Sequence, residues 1–326
     1  MKKTLVTGAT GFTGENLCRK LVQNGEQVVA FVRQSSRSDQ LKSMGVECRQ
    51  VNITDKNSVK ENFEDINIVY HIAAAYRTEH SDHDEFKLVN IEATRNLLDA
   101  AMAAKIDRFV HCSTVGVQGE IKDPPADENY RFNPGDHYQE SKLQGELLAR
   151  EYSSYGLPVA IVRPVGIYGP GDTRFLKLFR PINKGHFVMI GSGKVLYHMT
   201  YIEDLIQGII LAGRKPQAIG NVFTIAGRKY TTLRELVNMI ADVLNKPHPR
   251  WRIPFYPVYL ASVICEKICR FSGINPPLYP RRVEFFSLDR AFSIEKAKRL
   301  LDYNPKVELK EGLSRTANWY KEKGLI

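Results

Sequence analysis

The chain has 326 residues, 25% of them charged and 43% hydrophobic, with Gly 23 and Pro 16. That composition excludes a mainly disordered or fibrous chain, and the length allows one large or two small domains. Formal net charge is +10, but residues 1–160 hold 19 Lys+Arg against 23 Asp+Glu while residues 161–326 hold 27 against 13, so a mildly acidic half precedes a basic one suited to an anionic partner or a lysine-rich solvated surface.

The opening MKKTLVTGATG places two lysines before an apolar run, as a signal peptide would, but Gly8, Gly11 and Gly14 interrupt the run, which predicts a first strand over Thr4–Thr7 instead. A helix follows, with Leu17 and Leu21 on one face and Gly25 closing it. Further strands are predicted over Gln27–Val32, Glu47–Val51, Ile66–Ile72, Arg108–Cys112 and Val159–Arg163, with helices over Phe86–Ala104 and Glu140–Tyr155. Alternation of near-continuous apolar strands with helices predicts an α/β fold whose parallel sheet is covered on both faces. Past residue 165 prolines become frequent, and helices near Thr232–Leu244 and Tyr259–Phe271 suggest a smaller second domain. The expected division is 1–165 and 166–326. No run reaches the roughly 20 apolar residues that span a bilayer, and five dispersed cysteines suggest free thiols in the cytoplasm.

In TGATGFTG, glycines at three-residue intervals between strand and helix allow a tight turn and the close approach of a pyrophosphate to backbone N–H groups. At the end of the second strand, where an acid would accept from a ribose 2′-hydroxyl, the sequence has Arg33, with Arg37 shortly after, which favours NADP over NAD. In YQESK, Tyr138 and Lys142 stand four apart on one helix face. A phenol with pKa about 10 is a poor base at neutral pH; lowering it by about 3 units takes roughly 4 kcal/mol, which a nearby ammonium and a positive nicotinamide help to supply. Thr114, in CSTVGVQG at the end of the fifth strand, can polarise the reacting oxygen.

Together TGATGFTG, VYHIAAA, VNIEATRNLL, CSTVGVQG, YQESK and RPVGIYGPGD occur in order over nearly the whole chain, which thereby resembles the extended short-chain dehydrogenase/reductases, the superfamily of NAD-dependent epimerases and dehydratases. The resemblance implies a Rossmann doubly wound parallel sheet with an interleaved C-terminal substrate domain, and Thr114, Tyr138 and Lys142 as the catalytic group. It implies a cofactor along Gly8, Thr10, Gly11, Phe12, Thr13, Gly14, Arg33, Asn52, Ile53, Ala73, Ala74, Ala75, Asn90, Ser113, Tyr138, Lys142, Pro164 and Ile167. Asn52 departs from the pattern, since many members carry Asp there; Asn can still hydrogen-bond. A homodimer through the helices holding Asn90 and Tyr138 is implied in the same way.

Three positions separate the branches of that family. Val115 and Gly116 follow Thr114 where 4,6-dehydratases carry Asp-Glu. Gly166 stands where nucleotide-sugar 4-epimerases usually carry Asn, and Tyr197 where they commonly place an arginine on the diphosphate; Arg174, Lys177, Arg180 or Arg281 could substitute. The segments RPVGIYGPGD and TYIEDLIQGIILA are similar to the redox branch, which includes 3β-hydroxysteroid dehydrogenases and dihydroflavonol reductases. Its expected activity is NAD(P)-dependent interconversion of a secondary alcohol and a ketone on a bulky, lipophilic or anionic substrate. The alternatives are a nucleotide-sugar 4-epimerase and a non-catalytic cofactor sensor. The stretch 250–271, apolar with basic flanks, could line a lipophilic pocket, rest on an acidic membrane surface, or form an ordinary buried helix. HSDHDE at 80–85 reads as a solvated loop rather than a metal site, and His71 and His111 as packed, hydrogen-bonded residues. No nucleic-acid module is recognisable.

Overall fold

The computed structural model describes residues 3–33, 38–76, 83–271, 274 and 276–326; Arg37 and His80 lie outside them. Six parallel strands of the first half, β1 (Lys3–Thr7), β2 (Val28–Val32), β3 (Glu47–Gln50), β4 (Ile66–His71), β5 (Arg108–Cys112) and β6 (Val159–Pro164), share one sheet with a strand from the second half, Val222–Ile225. Across the sheet the order is Val222–Ile225, β6, β5, β4, β1, β2, β3. The order reverses between β1 and β4, and the crevice beyond the carboxyl ends of those two strands is where such sheets bind ligands.

Strand period sets the two cores. Leu5, Val29, Val69 and Phe109 point to one face, and Val6, Ala30, Tyr70 and Val110, one residue along each strand, point to the other. The first face packs on α5 (Ala93–Ala104) through Leu97, Leu98 and Ala101 and on α6 (His137–Ser154) through Leu148 and Ala149. The second packs on α1 (Phe12–Gln23) through Leu17 and Leu21, and on the helix Ile202–Arg214. At about 1.5–3 kcal/mol per buried large apolar side chain, these layers hold the helices against both faces of the sheet. Between the first-half strands run α2 (Ser38–Ser43), α3 (Lys56–Glu61) and α4 (His83–Lys87).

Several elements differ from the sequence expectation: α6 begins at His137 rather than Glu140, and α4 takes in residues 83–85 of a stretch expected as a loop. Phe86–Ala104 is not one regular helix: α4 and α5 are separated by a π-turn, Leu88–Glu92, which rolls the buried Asn90 inward. The helix expected at Tyr259–Phe271 begins earlier, at Phe255, because Pro257 lies in its first turn, where its missing N–H has no intrahelical acceptor to lose. That helix is not buried either: Tyr256, Leu260, Ile264, Ile268 and Phe271 are all exposed. Among the described residues, no helix is long and apolar enough to cross a membrane.

Candidate active site

The glycine turn is held by backbone contacts. Gly8 has φ +70°, and a Cβ there would meet the Ala73 nitrogen at 2.7 Å; a Cβ on Gly14 would meet the Gly8 oxygen at 2.1 Å. Gly11 differs. It is exposed, nothing lies within 3.4 Å of its Cβ position, and as N-cap of α1 it offers no side chain to the helix N–H groups. The first turn of α1, with Thr13, thus presents unsatisfied donors and the helix's positive end to the space above the sheet, a fit for a dinucleotide pyrophosphate. Thr10 and Phe12 flank that turn, and the Phe12 ring has the Arg174 guanidinium 5.8 Å from its centroid.

Other sequence-predicted positions lie along the same edge. Arg33 is exposed just past β2. Asn52 lies beyond the edge strand β3, where its Oδ1 accepts from the Thr54 nitrogen and hydroxyl, and the Ile53 oxygen accepts from Asn96. Past β4, the Ala73 nitrogen donates to the Thr7 hydroxyl at 3.2 Å, Ala74 is exposed, and Ala75 is gripped twice by Asn90, whose Oδ1 accepts from the Ala75 nitrogen at 2.8 Å while Nδ2 donates to the Ala75 oxygen and to Ser141 Oγ at 2.9 Å. The π-turn therefore ties the end of β4 to α6. Gly145 permits the approach, since a Cβ there would meet the Asn90 oxygen at 2.5 Å. Pro164 ends β6, and the Ile167 oxygen accepts from Arg174 at 3.2 Å.

Asp136 caps α6 by accepting from the Gln139 nitrogen, which starts the helix at His137, one residue before Tyr138. Tyr138 is half-buried, with the Tyr76 ring 5.1 Å and the Phe86 ring 6.1 Å away, both edge-on. One turn on, Lys142 is buried and its Nζ donates to the Cys112 oxygen at 2.6 Å; burial lowers its pKa, and Cys112 and Glu146 oppose that shift. Thr114 caps a 3₁₀ turn, Val115–Gln118, accepting from the Gly116 nitrogen at 3.1 Å, so its own hydroxyl proton can point elsewhere.

Sequence reasoning missed three features. Ser113 donates its hydroxyl to Glu146 at 2.7 Å, and Glu146 is clasped by Arg163 through Nε and Nη2 at 2.9 and 2.6 Å, both side chains fully buried. Burial opposes ionisation of Glu146, yet Arg163 holds its pKa below the ordinary value. Glu146 stands four residues after Lys142, so helix spacing was the signal available. The second feature is the extent of a buried polar chain around His71, which is itself packed and hydrogen-bonded as expected. The Thr94 hydroxyl donates to the Asn90 oxygen at 2.9 Å and must accept from His71 Nε2, so His71 Nδ1 accepts from Thr7. Burial, then the charge of Lys142, lowers the His71 pKa to about 3, in keeping with a neutral ring. The expectation for His111 was half right: it is fully buried, but neither ring nitrogen finds a partner among the described residues. Third, Tyr197 does not stand without a guanidinium, for Arg290 donates to its hydroxyl at 2.6 Å from a segment 93 residues away. Of the other cations considered, Arg180 is drawn to the Leu325 oxygen and Arg281 pairs with Asp136.

A family model described as the NAD dependent epimerase/dehydratase family matches residues 4–226. The 2-alkyl-3-oxoalkanoate reductase of Stenotrophomonas maltophilia is 31% identical over 96% of this chain and 98% of its own. The 3 beta-hydroxysteroid dehydrogenase/Delta 5-->4-isomerase of Mycobacterium tuberculosis (H37Rv) is 31% identical over 98% of this chain and 90% of its own. Among solved structures, the UDP-glucuronic acid 4-epimerase of Bacillus cereus in complex with NAD is 26% identical, covers 98% of this chain and 99% of its own, and superposes with a TM-score of 0.78. The chain belongs to the NAD dependent epimerase/dehydratase family and is an NAD(P)-dependent enzyme of the extended short-chain dehydrogenase/reductase type.

Proposed function

We propose that this chain is an NADP-preferring oxidoreductase that interconverts a secondary alcohol and a ketone on a bulky, lipophilic substrate. The observation that carries the reading is the setting of Tyr138: the rings of Tyr76 and Phe86 stand edge-on to it, with centroids 5.1 and 6.1 Å away, an aromatic wall suited to an apolar substrate beside an acid–base hydroxyl. When bound, the nicotinamide supplies or accepts the hydride. Tyr138 gives a proton to the carbonyl oxygen or takes it from the alcohol, Lys142 favours the phenolate by its charge, and the Thr114 hydroxyl donates to the reacting oxygen. Relatives named as acting on a 3-oxoalkanoate and on a 3β-hydroxysteroid support this chemistry.

Gly8 to Gly14 and Ala73 to Ala75 are assigned to the cofactor, with Asn90 positioning Ala75. Arg33, at the end of β2 where a 2′-phosphate would approach, supports NADP. We assign residues 1–165 to cofactor binding and 166–326 mainly to substrate, in a cytoplasmic homodimer.

A second reading, nucleotide-sugar 4-epimerisation, is favoured by one observation: Arg290 brings a guanidinium to Tyr197, where that branch commonly uses an arginine on a diphosphate. Tyr138→Phe tests the catalytic assignment, with NADPH-dependent ketone reduction expected to fall by at least about 100-fold. Unchanged activity would refute it. Arg33→Asp is expected to move preference from NADP toward NAD, and unchanged kinetics with both cofactors would refute the NADP assignment.

A further inference from the structure

The helix Phe255–Phe271 has its apolar side outward. Its body-facing contact runs through Ser262, which is fully buried, while Tyr256, Leu260, Ile264 and Ile268 recur every fourth residue at 82, 61, 50 and 60% exposure, with Phe271 at 96%. At about 100° per residue these five fall within an arc of about 120° centred opposite Ser262. Trp251, four residues before the helix, is also 76% exposed. Single exposed apolar residues are ordinary, but a continuous stripe down the outer face of a helix marks an interaction surface.

Charge selects the occupant. Arg250, Arg252 and Lys267 are exposed around the stripe, and Glu266, the helix's single acid, points about 140° from the centre of the arc. A second copy packed on a two-fold axis would press Lys267, which lies within the arc, towards its symmetry mate. An anionic lipid surface instead takes both features, with apolar and aromatic side chains in the headgroup boundary and cations on lipid phosphates.

We propose that this helix docks the protein on an anionic phospholipid surface. It packs on the short helix Pro280–Glu284, whose Arg281 pairs with Asp136, the cap of α6 two residues before Tyr138. The lipid surface would therefore lie near the mouth of the site, a route by which a lipophilic substrate reaches Tyr138. That last step rests on the oxidoreductase reading; docking does not.

The test is flotation of the full-length protein with phosphatidylcholine vesicles, with and without phosphatidylglycerol, in the absence of substrate. The protein is expected to float with phosphatidylglycerol vesicles, about tenfold more weakly with phosphatidylcholine alone, and less as salt rises. The double variant Leu260→Glu/Ile264→Glu is expected to lose at least about tenfold in binding while keeping its melting temperature and dinucleotide affinity, since both positions are exposed. Failure of the unaltered protein to float with the anionic vesicles overturns docking, as does flotation indifferent to the double variant. Loss of self-association in that variant, with no vesicle binding by either form, would assign the stripe to a second copy and overturn it equally. Because binding is read without turnover, absence of NADPH oxidation with every ketone would refute the oxidoreductase reading and leave the vesicle result standing.

Discussion

Lys142 Nζ and the Cys112 carbonyl oxygen lie 2.6 Å apart, so the ammonium on α6 is tied to the end of β5, two residues before Thr114. The bond orients a charge that burial disfavours. Lys142→Met should lower turnover by at least about 100-fold while the protein stays folded, because methionine fills the same channel without a buried charge. The sign of the pH effect follows from the lowered pKa. Between that value and the ordinary 10.5, the unfolded chain binds a proton that the native state does not, so stability rises with pH. Urea midpoints measured at rising alkaline pH should show this contribution in the native sequence and lack it in the variant.

Gly11 and Gly14 have different duties. Gly14→Ala forces a methyl to within 2.1 Å of the Gly8 oxygen and should lower the melting temperature and abolish dinucleotide binding together. Gly11→Ala meets nothing closer than 3.4 Å, so its melting temperature should stay near that of the unaltered protein. Its methyl nevertheless enters the space proposed for the pyrophosphate, and dinucleotide affinity should fall by about tenfold or more. Calorimetric titration beside thermal melting separates the two. A Gly11→Ala protein that binds dinucleotide normally would contradict the cradle.

The buried Glu146–Arg163 pair joins α6 to β6 and holds the Ser113 hydroxyl. Removing one partner strands the other charge in the interior, so Arg163→Met should cost roughly 3–5 kcal/mol in urea unfolding. Glu146→Gln, which keeps the shape and some hydrogen bonding, should be milder at neutral pH than Arg163→Met. Equal, small effects would mean that the pair is reached by water.

His71 is neutral in the fold, with its pKa lowered to about 3 from 6.5. From 6.5 down to about 3 the unfolded chain takes up a proton that the native ring does not, so acid destabilises the fold, at most by about 1.4 kcal/mol per pH unit. Burial lowers His111 in the same direction. His71→Gln should shallow the acid slope of the urea midpoint by about one proton and, by loosening Asn90 and Ala73, weaken dinucleotide binding. An unchanged slope would show that His71 is protonated in the native state.

Much of this architecture is readable locally. Arg108–Cys112 has the bounds expected from its apolar run, and the other five first-half strands lie within a residue of theirs, because valine-rich segments buried on both faces carry the signal themselves. The π-turn was not readable. Nothing in LVNIE favours it; it exists because Asn90 must reach Ala75 and Ser141 at once. Arg290 was invisible as the partner of Tyr197, since 93 residues separate them and only the tertiary fold joins the two. For Phe255–Phe271 the sequence left a surface-resting and a buried helix both open, because its apolar residues fit either, and only the fold shows the stripe facing outward.

The central claim is net redox turnover at Tyr138, and its most direct measurement is the stoichiometry of cofactor to product. With NADPH and a bulky lipophilic ketone, the purified protein should oxidise one NADPH for each alcohol formed, followed by absorbance and chromatography together, and Tyr138→Phe should lose both signals. Tightly held NAD after purification, with 4-epimerisation of a UDP-sugar and no net cofactor change, would contradict the claim and assign the site to the epimerase chemistry instead.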